Sequence, residues 1–526
     1  MKNISTSTFN FARLISTGFL YVDKTAYVHK LVKPAFAEYF LSRPRRFGKS
    51  LLVSTLKAVF QGRRELFNGL AIDNMDYDWK TYPIIHLDFG NCDASTPENL
   101  EVYLNHLLDI AADELKIELK PEKASIRFEN LIMAANASMA GGVVVLIDEY
   151  DKPILGNITN KKHNKAILSV LKGFYANIKK KEELIRFAFI TGVSKFAHVS
   201  LFSDLNNLTD ITLDVDYAGM LGFTEAEIRE YFADRIPLAA TANRMPEEDL
   251  MVQLLKWYDG YRFSKGEMHV CNPVSISKFF DRNYDFANYW GKTGMPGFLM
   301  ELAKSTRFNF EKAISMPVSD LVFGSYELDN PDTMGLLWQT GYLTIKDVLP
   351  GPLGSSMYRL GFPDFEVEQS FNTQLLAYYS GYKDSEMSGV VFQLTSLIQE
   401  NHIEDFMKVL QSYFASIPYD IRSGDEHYYQ TIFFITFLLL GTSIEAESRT
   451  SDGRIDAVVA TRDHVFIFEF KLDKSAPTAL EQIEDKEYYL KYQTSGKDIT
   501  LIGASFDKNN GKLTDWCLTR LSSESI

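Results

Sequence analysis

The sequence predicts an α/β protein with a parallel sheet in its first domain, a mostly helical middle domain and a second α/β domain at its end. Three changes along the chain predict this order. Short apolar runs alternate with longer helical patterns up to about residue 215, helical patterns dominate from there to about residue 375, and strand-like runs then return. At 526 residues the chain also exceeds what one hydrophobic core usually supports. The predicted domains are 1–215, 216–375 and 376–526.

Four near-continuous apolar runs predict the strands of the first domain. Their pattern is typical of strands that are buried on both faces of a sheet. They are residues 38–42, 83–89, 142–150 and 186–192. The stretches SLLVSTLKAVFQG and NLEVYLNHLLDIAADEL lie between them and repeat apolar residues at spacings of three and four, which predicts helices. Strands that alternate with helices form a parallel sheet covered on both faces.

Local signals predict elements of the middle domain. Thr224 is followed three residues later by Glu227, a capping-box pattern that predicts the start of a helix. The stretch LLWQTGYLTI predicts a helix, a stop at Gly341 and a short strand. Residues 346–366 are rich in Gly, Pro and Ser, and they predict a hairpin turn that precedes a linker.

The last domain is predicted to contain a long apolar helix around residues 427–440, followed by three strands. The strands are the stretches DGRIDAVVAT, HVFIFEFKL and DITLIGASF. The stretch TALEQIEDKEYYLKY, between the second and third strands, predicts a further helix.

The charge, the cysteine spacing and the apolar runs of the chain limit its expected partners and compartment. A formal net charge of −14 argues against a surface coated for non-specific nucleic-acid binding, although a local basic groove is compatible with it. Cys92, Cys271 and Cys517 form no CxxC pair, which excludes a cysteine-built zinc site and fits a reducing compartment. The N-terminus lacks a secretory-signal pattern, and the most apolar run, 432–440, is about half of the roughly 20 residues that a spanning helix needs. We therefore expect a cytoplasmic protein without a membrane partner.

Residues 43–50, RPRRFGKS, predict a phosphate-binding loop. Such a loop has the pattern GxxxxGK[ST] between a strand and a helix, so that backbone amides and the lysine reach phosphate oxygens. Arg43 stands where the first glycine is usual, a position that mainly eases the turn out of the strand. Gly48 permits close approach to phosphate, Lys49 supplies charge and Ser50 supplies a magnesium ligand. The half of the pattern that carries the chemistry is intact.

Three more loop residues complete the predicted nucleotide-binding set: Arg45, Arg46 and Phe47. Three roles are open for Arg43, Arg45 and Arg46, namely contact with the nucleotide, with a neighbouring domain or with nucleic acid. The tripeptide GK[ST] often occurs by chance, so the prediction depends on the strand before it and the helix after it.

The strand VVVLIDE is predicted to supply acids to the same site. Its Asp148 lies 98 residues after Ser50 and would hold Mg²⁺ through water, while Glu149 would polarise the attacking water. The alternative is a solvated start of a loop. Thr191, at the end of strand 186–192, is the predicted sensor of the terminal phosphate, with a purely structural threonine as the alternative. The predicted cofactors are ATP and Mg²⁺.

Asp456, Glu469 and Lys471 predict a second metal site in the last domain. Asp456 opens one strand, and Glu469 and Lys471 are two residues apart on the next, so that their side chains project to one face. Two carboxylates, Asp456 and Glu469, suit Mg²⁺, and a lysine beside them can orient a water or stabilise charge on phosphorus. Glu426 on the preceding helix is a further candidate acid.

The alternative for Glu469 and Lys471 is an ordinary ion pair on a solvated sheet face. The strands are strongly apolar and look central in a sheet, which weakens that alternative. The following helix also places Gln482 and Lys486 four residues apart, facing one way.

With both sets of residues in place, the chain resembles a bacterial family that joins an AAA-ATPase-like domain to a C-terminal PD-(D/E)XK nuclease-superfamily domain. The resemblance rests above all on RPRRFGKS and LIDEYDKP, and it extends over YVDKT, FITGVSKF, WYDGYRF, CNPVSI, GYLTI, RIDAVV and IFEFKLD. It implies a P-loop ATPase core that uses Lys49, Ser50, Asp148 and Glu149.

The resemblance also implies a nuclease triad of Asp456, Glu469 and Lys471, with Glu426 and Gln482 as auxiliary residues. Asp456 follows Ile455 where the superfamily's signature has proline. In the motif YDGYRF, we expect the aromatic residues and the arginine to pack the helical domain against the ATPase domain, with ligand contact as the alternative.

Three functions are consistent with these patterns. The favoured one is an ATP-binding and ATP-hydrolysing protein whose nuclease domain cuts nucleic acid, with DNA as the favoured candidate, in defence or mobile-element handling by analogy. The first alternative is a regulatory NTPase switch whose nuclease-like domain only binds nucleic acid or a protein partner. The acidic composition and the absence of an evident basic stripe favour this alternative. The second alternative is an ATPase domain that only binds the nucleotide. A homo-oligomer is left open, since rings are common among AAA enzymes and no residue pattern here encodes one.

Overall fold

The structure is a computed structural model, and it divides the chain into two compact units, Met1–Glu368 and Gln369–Ile526. It describes residues 1–157, 160–195, 207–291, 316–324, 332–417, 436, 449–450, 453–454, 457–507 and 512–521.

A parallel sheet forms the centre of the first unit. Within the described residues its strands are β1 (Ala37–Ser42), β2 (Ile84–Asp88), β3 (Val143–Asp148), β4 (Ile185–Gly192) and β5 (Thr209–Asp210), in the order β2-β3-β4-β1-β5. All paired neighbours run parallel, and the four predicted strands are confirmed. The fifth strand was not predicted, because it is only two polar residues long and carries no apolar pattern.

Helices cover both faces of this sheet. They are α1 (Phe11–Ser16), α2 (Thr25–Val32), α3 (Lys49–Phe60), α4 (Pro97–Leu115), α5 (Ala124–Ser138), α6 (Lys152–Leu155) and α7 (Lys161–Lys180). Val143, Val145 and Ile147 of β3 share one core with α4, α5 and α7. The alternate residues Val144 and Leu146 are equally buried and face the side on which α3 contacts β3. Burial on both faces explains why β3 is apolar throughout.

The rest of the first unit combines helices with a small antiparallel sheet. Its elements are α8 (Glu225–Tyr231), α9 (Ile236–Asn243), α10 (Glu247–Tyr258), α11 (Pro273–Asp281), α12 (Thr333–Thr340), β6 (Val318–Ser319), β7 (Thr344–Pro350) and β8 (Ser356–Gly361). Thr224 and Glu227 form the predicted capping box at the start of α8. Gly341 ends α12 at a φ of 90°, a left-handed conformation that glycine adopts without strain.

The predicted hairpin is confirmed, but the linker predicted after it is wrong. Strands β7 and β8 pair antiparallel. The next helix, α13 (Phe365–Ser380), begins four residues after β8 ends at Gly361. The carboxylate of Asp364 accepts a hydrogen bond from the amide of Val367 at 2.8 Å, so a capped helix starts where a linker was expected.

The second unit contains helices followed by a mixed sheet. Its elements are α14 (Asp384–Gln399), α15 (Ile403–Ser416), β9 (Arg449–Thr450), β10 (Gly453–Arg454), β11 (Ala457–Ala460), β12 (His464–Leu472), α16 (Ala476–Asp485), α17 (Leu490–Gln493), β13 (Asp498–Phe506) and β14 (Leu513–Leu521). The sheet order is β11-β12-β13-β14, with β12 and β13 parallel and the outer pairs antiparallel. The predicted strands at β12 and β13 are confirmed as the inner ones.

Two helices predicted for this unit are not confirmed as predicted. The helix predicted around residues 427–440 lies outside the described residues, apart from residue 436. The stretch TALEQIEDKEYYLKY is two helices and not one, because α16 ends at Asp485 and Glu487 adopts a positive φ of 50°. Among the described helices, none is both long enough and apolar enough to cross a membrane.

Candidate functional site

The predicted phosphate loop connects β1 to α3. Gly48 lies immediately before α3 at a φ of 90°, which a residue with a Cβ rarely adopts. The first amides of α3 have no partners within the helix, so they are donors for an anion at this end. The local geometry is that of a phosphate loop even though Arg43 replaces the usual first glycine.

The side chain of Lys49 folds back onto the backbone of this loop. Its side chain is buried, and Nζ donates to the carbonyls of Arg43 and Pro44, both at 2.9 Å. Burial lowers the pKa of Lys49, and the charges of Asp148 and Glu149 oppose that shift. The ammonium group is therefore held inside the loop, close to the acids that end β3.

Ser50 and Asp148 meet at the start of α3. The Ser50 hydroxyl lies close enough to the Asp148 carboxylate to lower its pKa, although the two residues lie far apart in the sequence. Burial raises the pKa of Asp148 to about 6, and the Ser50 hydroxyl and the charge of Lys49 hold it below what burial alone would give. Hydroxyl and carboxylate oxygens are ligands that Mg²⁺ accepts, so this pair fits the ion.

Asp88 is a neighbour of this site that the sequence did not single out. It ends β2 and pairs in register with Asp148, and its charge contributes to the raised pKa of Asp148. A Cβ at Gly90 would lie 3.1 Å from Oδ1 of Asp88 and 3.7 Å from Oε2 of Glu149. The three acids therefore lie at the carboxyl edge of β2 and β3, but they are not grouped closely enough to hold a metal ion by themselves. The signal was present in PIIHLDF, where Asp88 follows an apolar run.

Thr191 has a structural contact at the end of β4. It is fully buried, and Oγ1 donates to the carbonyl of Leu41 on β1 at 2.9 Å. Beyond it, the buried carboxylate of Asp151 accepts hydrogen bonds from the amides of Val193 and Ser194 and from the Ser194 hydroxyl. These contacts fix the chain that leaves β4, and they agree with the structural alternative for Thr191.

Arg43 points into the protein. Its Nη1 donates to the carbonyls of Ser42 at 3.0 Å and Thr212 at 2.6 Å, and its guanidinium lies 4.3 Å from the ring centroid of Phe263. Burial lowers the pKa of Arg43 to about 9. Of the three roles considered for this arginine, the geometry supports contact with a neighbouring part of the chain.

Of the other three predicted loop residues, one is exposed to solvent and two contact other parts of the protein. Arg45 is exposed, while Arg46 donates to the carbonyl of Tyr289. Phe47 is buried and packs edge to face on Tyr261 and Phe263, with ring centroids 4.7 and 5.3 Å apart. Any contact of Phe47 with a nucleotide would therefore involve its backbone.

The motif YDGYRF is confirmed as a packing motif. The hydroxyl of Tyr258 donates to the carbonyl of Ala287 at 3.0 Å, and that of Tyr261 donates to Gly341 at 3.2 Å. Arg262 is buried among backbone carbonyls, with Nε 2.7 Å from that of Gly266. These residues and Phe47 hold the loop against the helical part of the first unit.

A cleft of about 130 Å³, open to solvent at its mouth, adjoins the loop. The loop side is formed by Arg46, Phe47 and Gly48, and other walls come from the N-terminal segment, α3, residues 220–223 and the start of α11. Apolar walls with a few polar groups are typical of small-molecule sites.

The second site lies on β12. Glu469 is only 2% exposed, and its Oε1 accepts hydrogen bonds from Lys471 Nζ at 2.7 Å and from Gln482 Nε2. Lys471 is two residues along the same strand, and Gln482 comes from α16. The structure therefore brings together three of the predicted residues at a nearly buried carboxylate, which is unlike an ion pair on a solvated face.

The remaining predicted residues of this site are placed differently. Asp456 and Glu426 lie outside the described residues. Ala457, the residue after Asp456, pairs with Phe468, the residue before Glu469. Lys486 is exposed at the end of α16, so Gln482 alone of that helical pair reaches Glu469. In the described part of the chain, no three acidic, histidine or cysteine side chains are grouped to hold a metal.

Comparison with known proteins agrees with both predicted domain types. The model of the family described as "Predicted AAA-ATPase" matches residues 5–202, and that of the "PD-(D/E)XK nuclease superfamily" matches residues 424–516. The chain is 36% identical over 512 residues, 96% of each chain, to the "Uncharacterized protein in vnfD 5'region" of Azotobacter chroococcum mcd 1. The comparison with solved structures gives no match. The chain therefore belongs to the family of proteins that join an N-terminal AAA-ATPase-like domain to a C-terminal PD-(D/E)XK nuclease-superfamily domain.

Proposed function

We propose that the protein binds and hydrolyses ATP and that this activity controls a magnesium-dependent nuclease site acting on nucleic acid, with DNA as the first candidate substrate. The observation that carries the nuclease proposal is the buried Glu469, bonded to Lys471 on its own strand and to Gln482 on α16. Defence or mobile-element handling in the cytoplasm would suit such an enzyme, by analogy with other ATPase and nuclease fusions.

In the ATPase unit, we assign the phosphates to the amides around Gly48 and to Lys49. Ser50 and Asp148 would hold Mg²⁺, which neutralises phosphate charge when bound. Glu149 would orient the attacking water, and the adjoining cleft would receive the base and sugar. The contact between Ser50 and Asp148, together with the burial of Lys49, supports this assignment.

In the nuclease unit, Asp456 and Glu469 are the proposed metal ligands, with Glu426 as a further acid. The metal would activate a water and stabilise charge on the phosphate. Lys471 would orient that water, and Gln482 would hold Glu469 in position through its amide. The pairing of Ala457 with Phe468 supports the pair of ligands, since Asp456 and Glu469 directly adjoin these two residues in the sequence.

The test is an assay of the full chain with Mg²⁺ or Mn²⁺ on single- and double-stranded DNA and RNA, with and without ATP. We expect cutting that Lys471→Ala abolishes and that Lys486→Ala leaves unchanged, because Lys471 donates to Glu469 whereas Lys486 is exposed at the end of α16. Intact substrates under all conditions would reject the nuclease proposal. Cutting that survives Lys471→Ala would assign the activity to another site.

The net charge of −14 favours the second candidate function, a regulatory NTPase switch whose nuclease-like domain only binds. Phosphate release that falls in Glu149→Gln, without cutting of any substrate, would support that function over the nuclease.

A further inference from the structure

Helix α7 is strongly basic within an acidic protein. Its 20 residues include six lysines and no Asp or Glu, whereas the whole chain has a net charge of −14. Four of the lysines are exposed: Lys162, Lys165, Lys172 and Lys180. Spacings of 3, 10 and 18 residues from Lys162 place them on one side of an α-helix with 3.6 residues per turn. We call these four residues the lysine face.

The opposite side of α7 is fixed in the core. Ile167, Leu171, Phe174 and Ile178 are buried against α4, α5 and the central sheet. Rotation of the helix would expose these side chains, so the orientation of the lysine face is set by packing.

The positions between the lysines carry small residues. Ala166, Ser169 and Gly173 are exposed on the same side of the helix. A glycine inside a helix is destabilising relative to alanine. A Cβ at Gly173 would meet no atom within 4 Å, so packing in the described structure does not require glycine there. Close approach of a partner would account for this residue.

Acidic residues follow the helix in the sequence. Lys181, which follows α7, pairs with Glu129 at 3.0 Å, and Glu182 and Glu183 come next in the chain. No acidic side chain of the described residues forms an ion pair with Lys162 or Lys180. These two lysines, at the two ends of the lysine face, therefore carry positive charges that lie about 27 Å apart along the helix.

We propose that the lysine face of α7 binds the phosphate backbone of nucleic acid. Charge complementarity selects this partner, because a duplex carries a phosphate about every 1.7 Å along its axis and lysines neutralise it without reading sequence. The inference rests on the proposed function, in which nucleic acid is the substrate, and it adds a binding surface on the ATPase unit.

The test uses the full chain carrying Lys471→Ala, in buffer without divalent metal, so that binding is measured without cutting. Fluorescein-labelled duplex DNA is titrated with this protein and with a variant in which Lys162, Lys165, Lys172 and Lys180 are all changed to Gln. We expect at least about tenfold weaker binding, and a plot of log affinity against log salt that is shallower by about 2 or more, since each phosphate contact contributes about one unit of slope and Lys162 and Lys180 have no ion-pair partner among the described residues.

A matched control changes three other exposed lysines, Lys116, Lys120 and Lys123, to Gln. These lysines lie between α4 and α5 and alternate with Glu118 and Glu122, so their removal should change the affinity less than twofold. Gly173→Glu should weaken binding as well, because it places a negative charge in the middle of the lysine face. Equal thermal melting of all variants would show that they fold.

Two results would overturn the inference, and they have different meanings. If the parent protein binds DNA and the fourfold variant binds it equally well with the same salt dependence, the lysine face is not the binding surface, while the proposed function stands. If the parent protein binds neither DNA nor RNA at low salt, both the inference and the nucleic-acid part of the proposed function fail.

Discussion

The two proposed active sites differ in how the chain assembles them. Lys49, Asp88 and Asp148 come from segments up to about a hundred residues apart, and they meet at one edge of a parallel sheet. Glu469 and Lys471 share one strand, and Gln482 follows on the next helix. The ATPase site therefore depends on the core of its unit, whereas the described part of the nuclease site is largely local. A substitution at the first site should disturb folding more readily than one at the second.

Phe47→Ala should produce the largest effect. The side chain is buried against Tyr261 and Phe263, so its removal leaves a cavity that we expect to cost about 3–5 kcal/mol in the free energy of unfolding of the first unit. Denaturation followed by hydrogen exchange measures each unit separately. The exposed Phe36, changed to alanine, is the control and should cost little. Equal loss of protection in both units would contradict the separation of the two sites.

Lys49→Ala should have the next largest effect, chiefly on the rate of ATP hydrolysis. Loss of the ammonium group beside the phosphates should lower the rate of ATP hydrolysis about 10²–10³-fold, while the Glu469 site retains its hydrogen bonds. Steady-state phosphate release measures the rate. Lys57→Ala on the same helix is the control, because that lysine pairs at the surface with Glu114. Hydrolysis unchanged in Lys49→Ala would remove the loop from the mechanism.

Glu38→Gln should have a small, pH-dependent effect confined to the first unit. Burial, aided by the charge of Glu182, raises the pKa of Glu38 from its ordinary 4.5 to about 7. A raised pKa means that the folded state favours the protonated acid, so this stabilising contribution is present below pH 4.5 and is lost as the pH rises through about 7. We expect the glutamine variant to be more stable above pH 7 by about 1 kcal/mol, after allowance for solvent screening.

Unfolding curves at several pH values measure this difference, and the exposed Glu183, changed to glutamine, is the control. A wild-type stability that does not fall between pH 4.5 and 7 more than that of Glu38→Gln would contradict the assignment.

The sequence predicted the elements whose patterns are local. Continuous apolar runs located β1 to β4, and a Thr and Glu three residues apart located the start of α8. The spacing of Glu469 and Lys471 placed both on one face of a strand, as the structure confirms. Each of these depends on residues close in the chain, where strand alternation and helix caps act.

Other features were not predictable because they depend on contacts between distant segments. Asp88 lies at the ATPase site because β2 pairs with β3 in a register that places Asp88 beside Asp148. Arg43 is buried because it contacts Thr212 and Phe263, which are distant in the sequence. The segment predicted to be a linker is the start of a helix, which the carboxylate of Asp364 caps. Neither register between strands nor burial of an arginine has a local signature.

The lysines of α7 illustrate the same limit at the surface. The sequence contains no evident basic stripe, since apolar core residues separate Lys162, Lys165, Lys172 and Lys180 along the chain. Helical coiling and burial of the opposite side bring these four charges onto one face. The sequence by itself determined which residues can bind phosphate or metal. Only the tertiary structure decided which of them meet, because burial and long-range pairing act on the folded chain.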